Sequence, residues 1–464
     1  MKAGRWVWIQ IYGGILFLVA GVVLNGALAL KAGDMNGRYG FGKVTASLSN
    51  QLDPARQRGL TVYEARRLEQ YIGDGGMTYC AKAADNSHVS FEERAYQAQI
   101  LGVNCLYPEF IRLKMLQGSF WNPSGDSNAQ PVAVIDQDLA WNIFKSANVS
   151  GRVLRLFNHP VRIIGVIARD DSLFAWLTDS GTPKLYVPAA TLLSLDPHAR
   201  ITELEWQTPE NSTLDLNKAV LTGALQKTGK NPADYQIIDW NIKRVIIAQK
   251  PRLLTFCTGL LVMWLLLRYL RREIQITYLT LKEACRYDYL RKVLTRHRKV
   301  IGITALKTVF CLSAIWLLWL GCVFKPYIPP RYIPDELTNM VYYFDLFRDS
   351  IRTGVAALGY IPSHPEQVLH RTEMITNGLF VLGLAGGLPL LYSGFTGFKK
   401  AGTSVDRIML GCGLGMLGSV FVIAFSARLV GVPLVIDMRS IVIIWTLVFG
   451  KTLSIKRKTG SLAL

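Results

Sequence analysis

Six stretches of this chain are apolar over about 20 residues, the length a helix needs to cross a hydrocarbon core about 30 Å thick. They lie at residues 6–30, 253–270, 300–324, 375–395, 408–430 and 432–449, the last being the least apolar. The gap between the first two is far too long for a connecting loop. Residues 31–250 must therefore form a folded domain of their own, inserted after a single N-terminal span, residues 1–30. The first stretch reads as an uncleaved anchor. Ala27, Leu28 and Ala29 would also suit a signal peptidase, but the apolar core of a signal peptide is only about 7 to 15 residues.

Charge fixes the expected topology. The chain carries a formal net charge of +19, which could suggest a nucleic-acid partner. Residues 31–250, however, hold 24 Lys and Arg against 22 Asp and Glu, which leaves 28 basic against 11 acidic residues on the membrane-spanning remainder. Short basic loops stay in the cytoplasm, so the excess reports membrane orientation and no nucleic-acid partner is implied. The loop 271–299 and its flank are the most basic: residues 268–299 have ten Lys and Arg and three acids. With this loop inside, alternation puts Lys399, Lys400 and Arg407 inside, and Lys451, Lys456, Arg457 and Lys458 inside as well. Both termini are then cytoplasmic, and residues 31–250 lie outside the inner or cytoplasmic membrane. So does a second external stretch, 325–373. Within it, residues 335–352 have helical apolar spacing at Leu337, Val341, Phe344, Phe347 and Ile351. That pattern suits either an amphipathic helix lying on the membrane surface or a plain packing helix.

The external domain mixes strand-like and helix-like segments. Residues 131–135, 160–167 and 184–188 are β-rich, whereas 61–72, 138–144 and 214–228 have helical periodicity. The expected fold class is thus a membrane protein with an α-helical transmembrane domain of about six helices, 251–464, plus an α+β extracytoplasmic domain.

Chemistry is sparse. Gly37 to Lys43 fits seven places of a P-loop, but Val44 stands where magnesium requires Ser or Thr. At the other end, Gly450, Lys451 and Thr452 follow Trp445 where a glycine is needed, so no ATPase is expected in this chain. The six histidines have no metal-ligand spacing, no nucleophile elbow occurs, and neither metal nor cofactor is expected. The carboxylate pairs Glu92, Glu93 and Asp170, Asp171 are adjacent in sequence, which turns their side chains apart. Asn148 and Asn211 open glycosylation-type triplets that would matter only in a secretory pathway.

Of the cysteines, only Cys80 and Cys105 fall in the external domain. An oxidising compartment would permit a disulfide between them, the alternative being two buried thiols. Arg428, Asp437 and Arg439 flank the outer turn between the last two spans, where charge is costly unless paired or snorkelling. They read as an ion pair closing the hairpin or as polar groups on a substrate path. Gly383 with Gly387, and Gly411 with Gly415, would let helices approach closely.

A family resemblance emerges from residues 101–120, LGVNCLYPEFIRLKMLQGSF, together with PVAVID at 131–136, LAWNIF at 139–144, VSGR at 149–152 and IIGV at 163–166. In this order they resemble the periplasmic core domain of MacB-type ABC transporter permeases, over roughly residues 44–190, with an FtsX-like membrane part. The resemblance implies that a separate cytoplasmic ABC ATPase drives the helices and that the ectodomain acts on a substrate or partner protein outside. It also implies a homodimer. Arg271, Arg272, Glu273, Lys282 and Arg286 are the residues placed to meet the ATPase. Two departures stand out: residues 278–285, YLTLKEAC, replace the family's small glycine-containing stretch, and the fifth and sixth spans exceed its usual four. They motivate an alternative, an envelope scaffold or binding protein that keeps the ectodomain without ATPase coupling. A membrane enzyme is the third class, with no residue constellation in its favour.

Overall fold

The computed structural model describes residues 2–49, 59–73, 75–83, 87–169, 181–209, 214–286, 289–356, 364–401 and 403–459. Asp170, Asp171 and Asn211 lie outside the described residues. Helix α1 (Lys2–Met35) leads to β1 (Lys43–Leu48), α2 (Val62–Ile72), β2 (Met77–Lys82), β3 (His88–Phe91), β4 (Arg94–Gln97), β5 (Gln99–Val103), β6 (Met115–Gly118) and β7 (Val132–Asp136). Next come α3 (Gln137–Phe144), β8 (Val153–Leu156), β9 (His159–Ile167), β10 (Lys184–Pro188), α4 (Ala189–Leu195), β11 (Arg200–Gln207), α5 (Leu214–Lys227) and β12 (Tyr235–Asp239). The remainder is helical: α6 (Trp240–Ala284), α7 (Leu290–Arg296), α8 (Arg298–Cys322), α9 (Met340–Ala356), α10 (His364–Val381), a π turn (Leu382–Gly387), α11 (Leu388–Ala401), α12 (Val405–Val430) and α13 (Met438–Thr459).

The chain divides into two compact units, 29–246 with 328–373, and 1–28 with 247–327 and 374–464. The first is built on one mixed sheet ordered β12-β1-β11-β2-β5-β10-β7-β9-β8-β3-β4, with β6 on β9. Its main core lies between one sheet face and helices α2 to α5, where Leu68, Leu139, Leu192 and Leu221 are fully buried. A smaller cluster on other residues of the same strands joins Cys80, Val103, Val134 and Tyr186 to Tyr107 and Trp121. Local signals place the helices. Thr61 and Glu64 form a reciprocal capping box at the start of α2, and Asp136 Oδ1 accepts from the Leu139 amide, 2.7 Å, to start α3. The Gly118 turn is required by geometry: its φ of +72° is left-handed backbone, and a side chain would run into the Ile164 carbonyl. Two residues on, Phe120 stacks on Trp121 with ring centroids 4.0 Å apart.

Among the described residues, five helices are long and apolar enough to cross a membrane: 4–34, 240–284, 298–322, 366–401 and 405–429. The sixth expected span, 432–449, corresponds to α13, which starts later, at Met438, and runs on through basic residues to Thr459. Ile15 and Val22 of α1, Leu254 of α6, Phe395 of α11, Met416 of α12 and Ile444 of α13 share one core. Glycines allow this packing. A β-carbon on Gly387 would lie 2.9 Å from Leu18 Cγ, and one on Gly415 would lie 2.5 Å from Tyr12 Cδ1. Both glycine pairs noted in the sequence thus seat α1, as small residues do at helix crossings.

Two expected boundaries move. The helix holding the second span runs on past residue 270, with no Gly or Pro to stop it, to Ala284, so 271–284 is helical and only 285–289 separates α6 from α7. The external stretch 328–373, assigned from sequence to the membrane half, belongs to the ectodomain unit.

Candidate functional site

Strand β1 is buried on both sides, with Val44, Ala46 and Leu48 in the core and Lys43, Thr45 and Ser47 on the other face. Its neighbours put Glu205 and Glu203 of β11 and Lys82 of β2 into play. Lys43 is fully buried, and its Nζ donates to Glu205 Oε2 at 2.6 Å and to the Phe110 carbonyl at 3.0 Å. The ammonium sits 5.1 Å from the centre of the Trp240 ring, and the indole Nε1 donates to Thr45 Oγ1 at 3.0 Å. Burial pushes the Lys43 pKa down, against the attraction of Glu205; burial likewise pushes Glu205 up, against Lys43. Alongside, Lys82 Nζ donates to Glu203 Oε1 at 2.5 Å. The lysine that ends the P-loop-like run is therefore committed inside a strand and can hold no phosphate.

The segment 328–373 is tied to the same region. Ser47 Oγ donates to the buried Glu366 Oε1 at 2.6 Å, and Lys243 Nζ donates to Glu373 Oε1 at 2.8 Å. Both carboxylates lie on α10. Helices α1, α6 and α10 each contribute residues to both units without a break. In α9, Leu337 just before it and Val341, Phe344, Phe347 and Ile351 along it are all exposed.

The residues picked out in the basic segment after the second span separate. Arg271, Lys282 and Arg286 are exposed and Arg272 is half-buried, but Glu273 is buried. Its carboxylate accepts from Lys307 Nζ of α8 at 3.0 Å, and Thr277 and Thr304 hydroxyls meet at 2.9 Å one turn on. Glu273 thus holds α6 to α8. At the turn between α12 and α13, Asp437 Oδ2 accepts from Ser440 Oγ at 2.5 Å and Oδ1 from the Arg439 amide at 3.2 Å, so it caps α13. Arg428 is exposed, and among the described residues no ion pair joins it or Arg439 to Asp437. Cys80 and Cys105 stand as free thiols. Cys80 pairs across the ladder with Val103, two residues before Cys105. Burial pushes the Cys105 thiol up to about 12, with Asp126 adding to the effect. The Glu92, Glu93 pair is the two-residue turn between β3 and β4, with φ of 47° and 62°.

Sequence reasoning missed Lys43, Glu205, Ser47 and Glu366. Alternation in KVTASL and in TELEW marks a polar face on each strand, but only the register sets lysine diagonally across from glutamate: Lys43 faces Gln207 and Thr45 faces Glu205.

Comparison with known proteins agrees with this architecture. Residues 12–227 match the family described as MacB-like periplasmic core domain. The macrolide export ATP-binding/permease protein MacB of Shewanella sp. (strain W3-18-1) is 34% identical over 93 residues, 19% of this chain and 14% of that protein. The pyoverdine export ATP-binding/permease protein PvdT of Pseudomonas aeruginosa is 34% identical over 77 residues, 17% of this chain and 12% of that protein. These matches therefore span a small part of the relatives' length. A crystal structure of the periplasmic region of MacB from Actinobacillus actinomycetemcomitans is similar at 21% identity and a TM-score of 0.36, covering 44% of this chain and 92% of that one. Over residues 12–227, then, this membrane protein carries a MacB-like periplasmic core domain.

Proposed function

We propose that the chain is the permease-like membrane subunit of an ABC transport or mechanotransmission system, in which a separate cytoplasmic ATPase moves the ectodomain. One observation carries this reading. Helix α6 runs for 45 residues, with Pro251 inside it, from the end of β12 through an apolar span to the basic residues Arg271, Arg272 and Lys282. A helix of that length, about 68 Å at 1.5 Å per residue, can pass a displacement from one end to the other. Exposed Arg271, Lys282 and Arg286 supply the contact with the ATPase. Both termini are on the cytoplasmic side, and a homodimer and an extracytoplasmic partner protein complete the assembly.

A scaffold without ATPase coupling is the second reading, favoured by Glu273, whose carboxylate is taken up inside the chain by Lys307. Purification of the full-length chain from its native membranes separates the two. An ABC ATPase retained by the wild type and lost on charge reversal of Arg271, Lys282 and Arg286 supports the permease. Its absence from every preparation supports the scaffold.

A further inference from the structure

The helical unit contains a groove of about 460 Å³, within the usual range for small-ligand sites. Three helices and the π turn line it. Leu261 and Trp264 come from α6, Leu388 and Tyr392 from α11, and Leu447 and Lys451 from α13. Along the π turn and α11 the lining runs from Leu384 to Phe395, about 16 Å at the helical rise. That is close to the thickness of one leaflet's hydrocarbon, about 15 Å.

The groove is apolar along its length and cationic at one end. Lys451 Nζ lies 5.1 Å from the centre of the Tyr392 ring, and the Arg268 guanidinium lies 5.4 Å from the centre of the Trp264 ring. Each cation is thus held over an aromatic lining residue, and the two are near enough for their charges to act on each other. Among the described residues the ion pair of this unit is Lys307 with Glu273, so no carboxylate there neutralises Arg268 or Lys451. Two like charges gathered without a counter-ion call for an anion. An apolar trough leading to them calls for an alkyl chain on that anion.

We infer that this groove binds one anionic phospholipid of the inner leaflet, with an acyl chain along Leu261, Leu388 and Leu447 and its phosphate between Arg268 and Lys451. The interrupted helix contributes directly, since the π turn brings Leu384 onto the lining face. The full-length protein in detergent should be loaded with phosphatidylglycerol or phosphatidylcholine of identical chains, and retention followed by native mass spectrometry. Wild type should retain phosphatidylglycerol in preference. Arg268→Gln with Lys451→Gln should reduce that preference by about 30-fold, the scale of two cations near an anionic surface. Leu388→Trp, which fills the trough, should lower retention of both lipids. Lys399→Gln with Lys400→Gln, which alters other cations on the same side, should leave the preference intact and shows that charge variants fold. Equal retention of the two lipids by wild type would overturn the inference. So would a preference that survives loss of Arg268 and Lys451 or vanishes with Lys399 and Lys400, and so would competition by glycerol phosphate alone.

Discussion

Replacing Lys43 by Met should destabilise the ectodomain more than almost any other single change. The side chain is fully buried, and Glu205, 6% exposed, would be left in the interior with its 2.6 Å partner gone. Removing one member of a buried pair typically costs about 3 to 5 kcal/mol. For a unit of this size each kcal/mol is worth about 2 to 4 °C, so the midpoint should fall by about 6 to 20 °C. Replacing both partners, Lys43→Met with Glu205→Leu, removes the stranded carboxylate. It should restore stability to within about 2 kcal/mol of the wild type, or exceed it. Thermal unfolding of the full-length protein in detergent, followed by tryptophan fluorescence, reads this out, because Trp240 lies over the Lys43 ammonium. A single variant that melts within about 2 °C of the wild type would refute the reasoning. So would a double variant as unstable as the single.

Three further outcomes follow from the ectodomain. Burial raises Asp136 from 3.8 to about 6, against the pull of the Leu139 and Lys184 amides. The folded state then keeps a proton that the unfolded chain releases, so stability should fall as pH rises from about 4 to 6, by up to about 3 kcal/mol, and Asp136→Asn should flatten that slope in pH-dependent melting. Glu92→Asn with Glu93→Gly, placed where both residues have positive φ, should raise the melting free energy by about 1 kcal/mol; no gain would show that the turn is unstrained. If an oxidising compartment joins Cys80 and Cys105, two of the seven cysteines should resist maleimide under denaturing conditions until reductant is added, and labelling of all seven without reductant would refute the bridge.

Much of the architecture can be read from the chain because its signals are local. The apolar runs announce the spans, and PVAVID, the 160–167 run and KLYVP announce β7, β9 and β10. Thr61 with Glu64 announces α2. What stayed hidden depends on long-range register. Strand β1 carries Lys43, Thr45 and Ser47 on a buried face, a pattern that reads as half-exposed until β11 and β12 are known to flank it. Glu366 looks like an external loop residue because its partner, Ser47, is 319 positions away. Glu273 looked available for a partner protein because nothing in its own segment predicts Lys307 on the next helix. The helix that carries the second span outruns it for a different reason: hydropathy marks where the apolar run ends, at residue 270, not where the helix does.

If force made in the cytoplasm reaches the ectodomain, as proposed above, ATP must be felt at both ends of α6. Hydrogen–deuterium exchange on the full-length chain purified with the proposed ATPase partner, with and without ATP, reads this out. ATP should change protection in the segment 271–296, along α6, and in strands β1 and β11. Changes confined to the ATPase and residues 271–296, with β1 and β11 unaltered, would refute the proposed transmission.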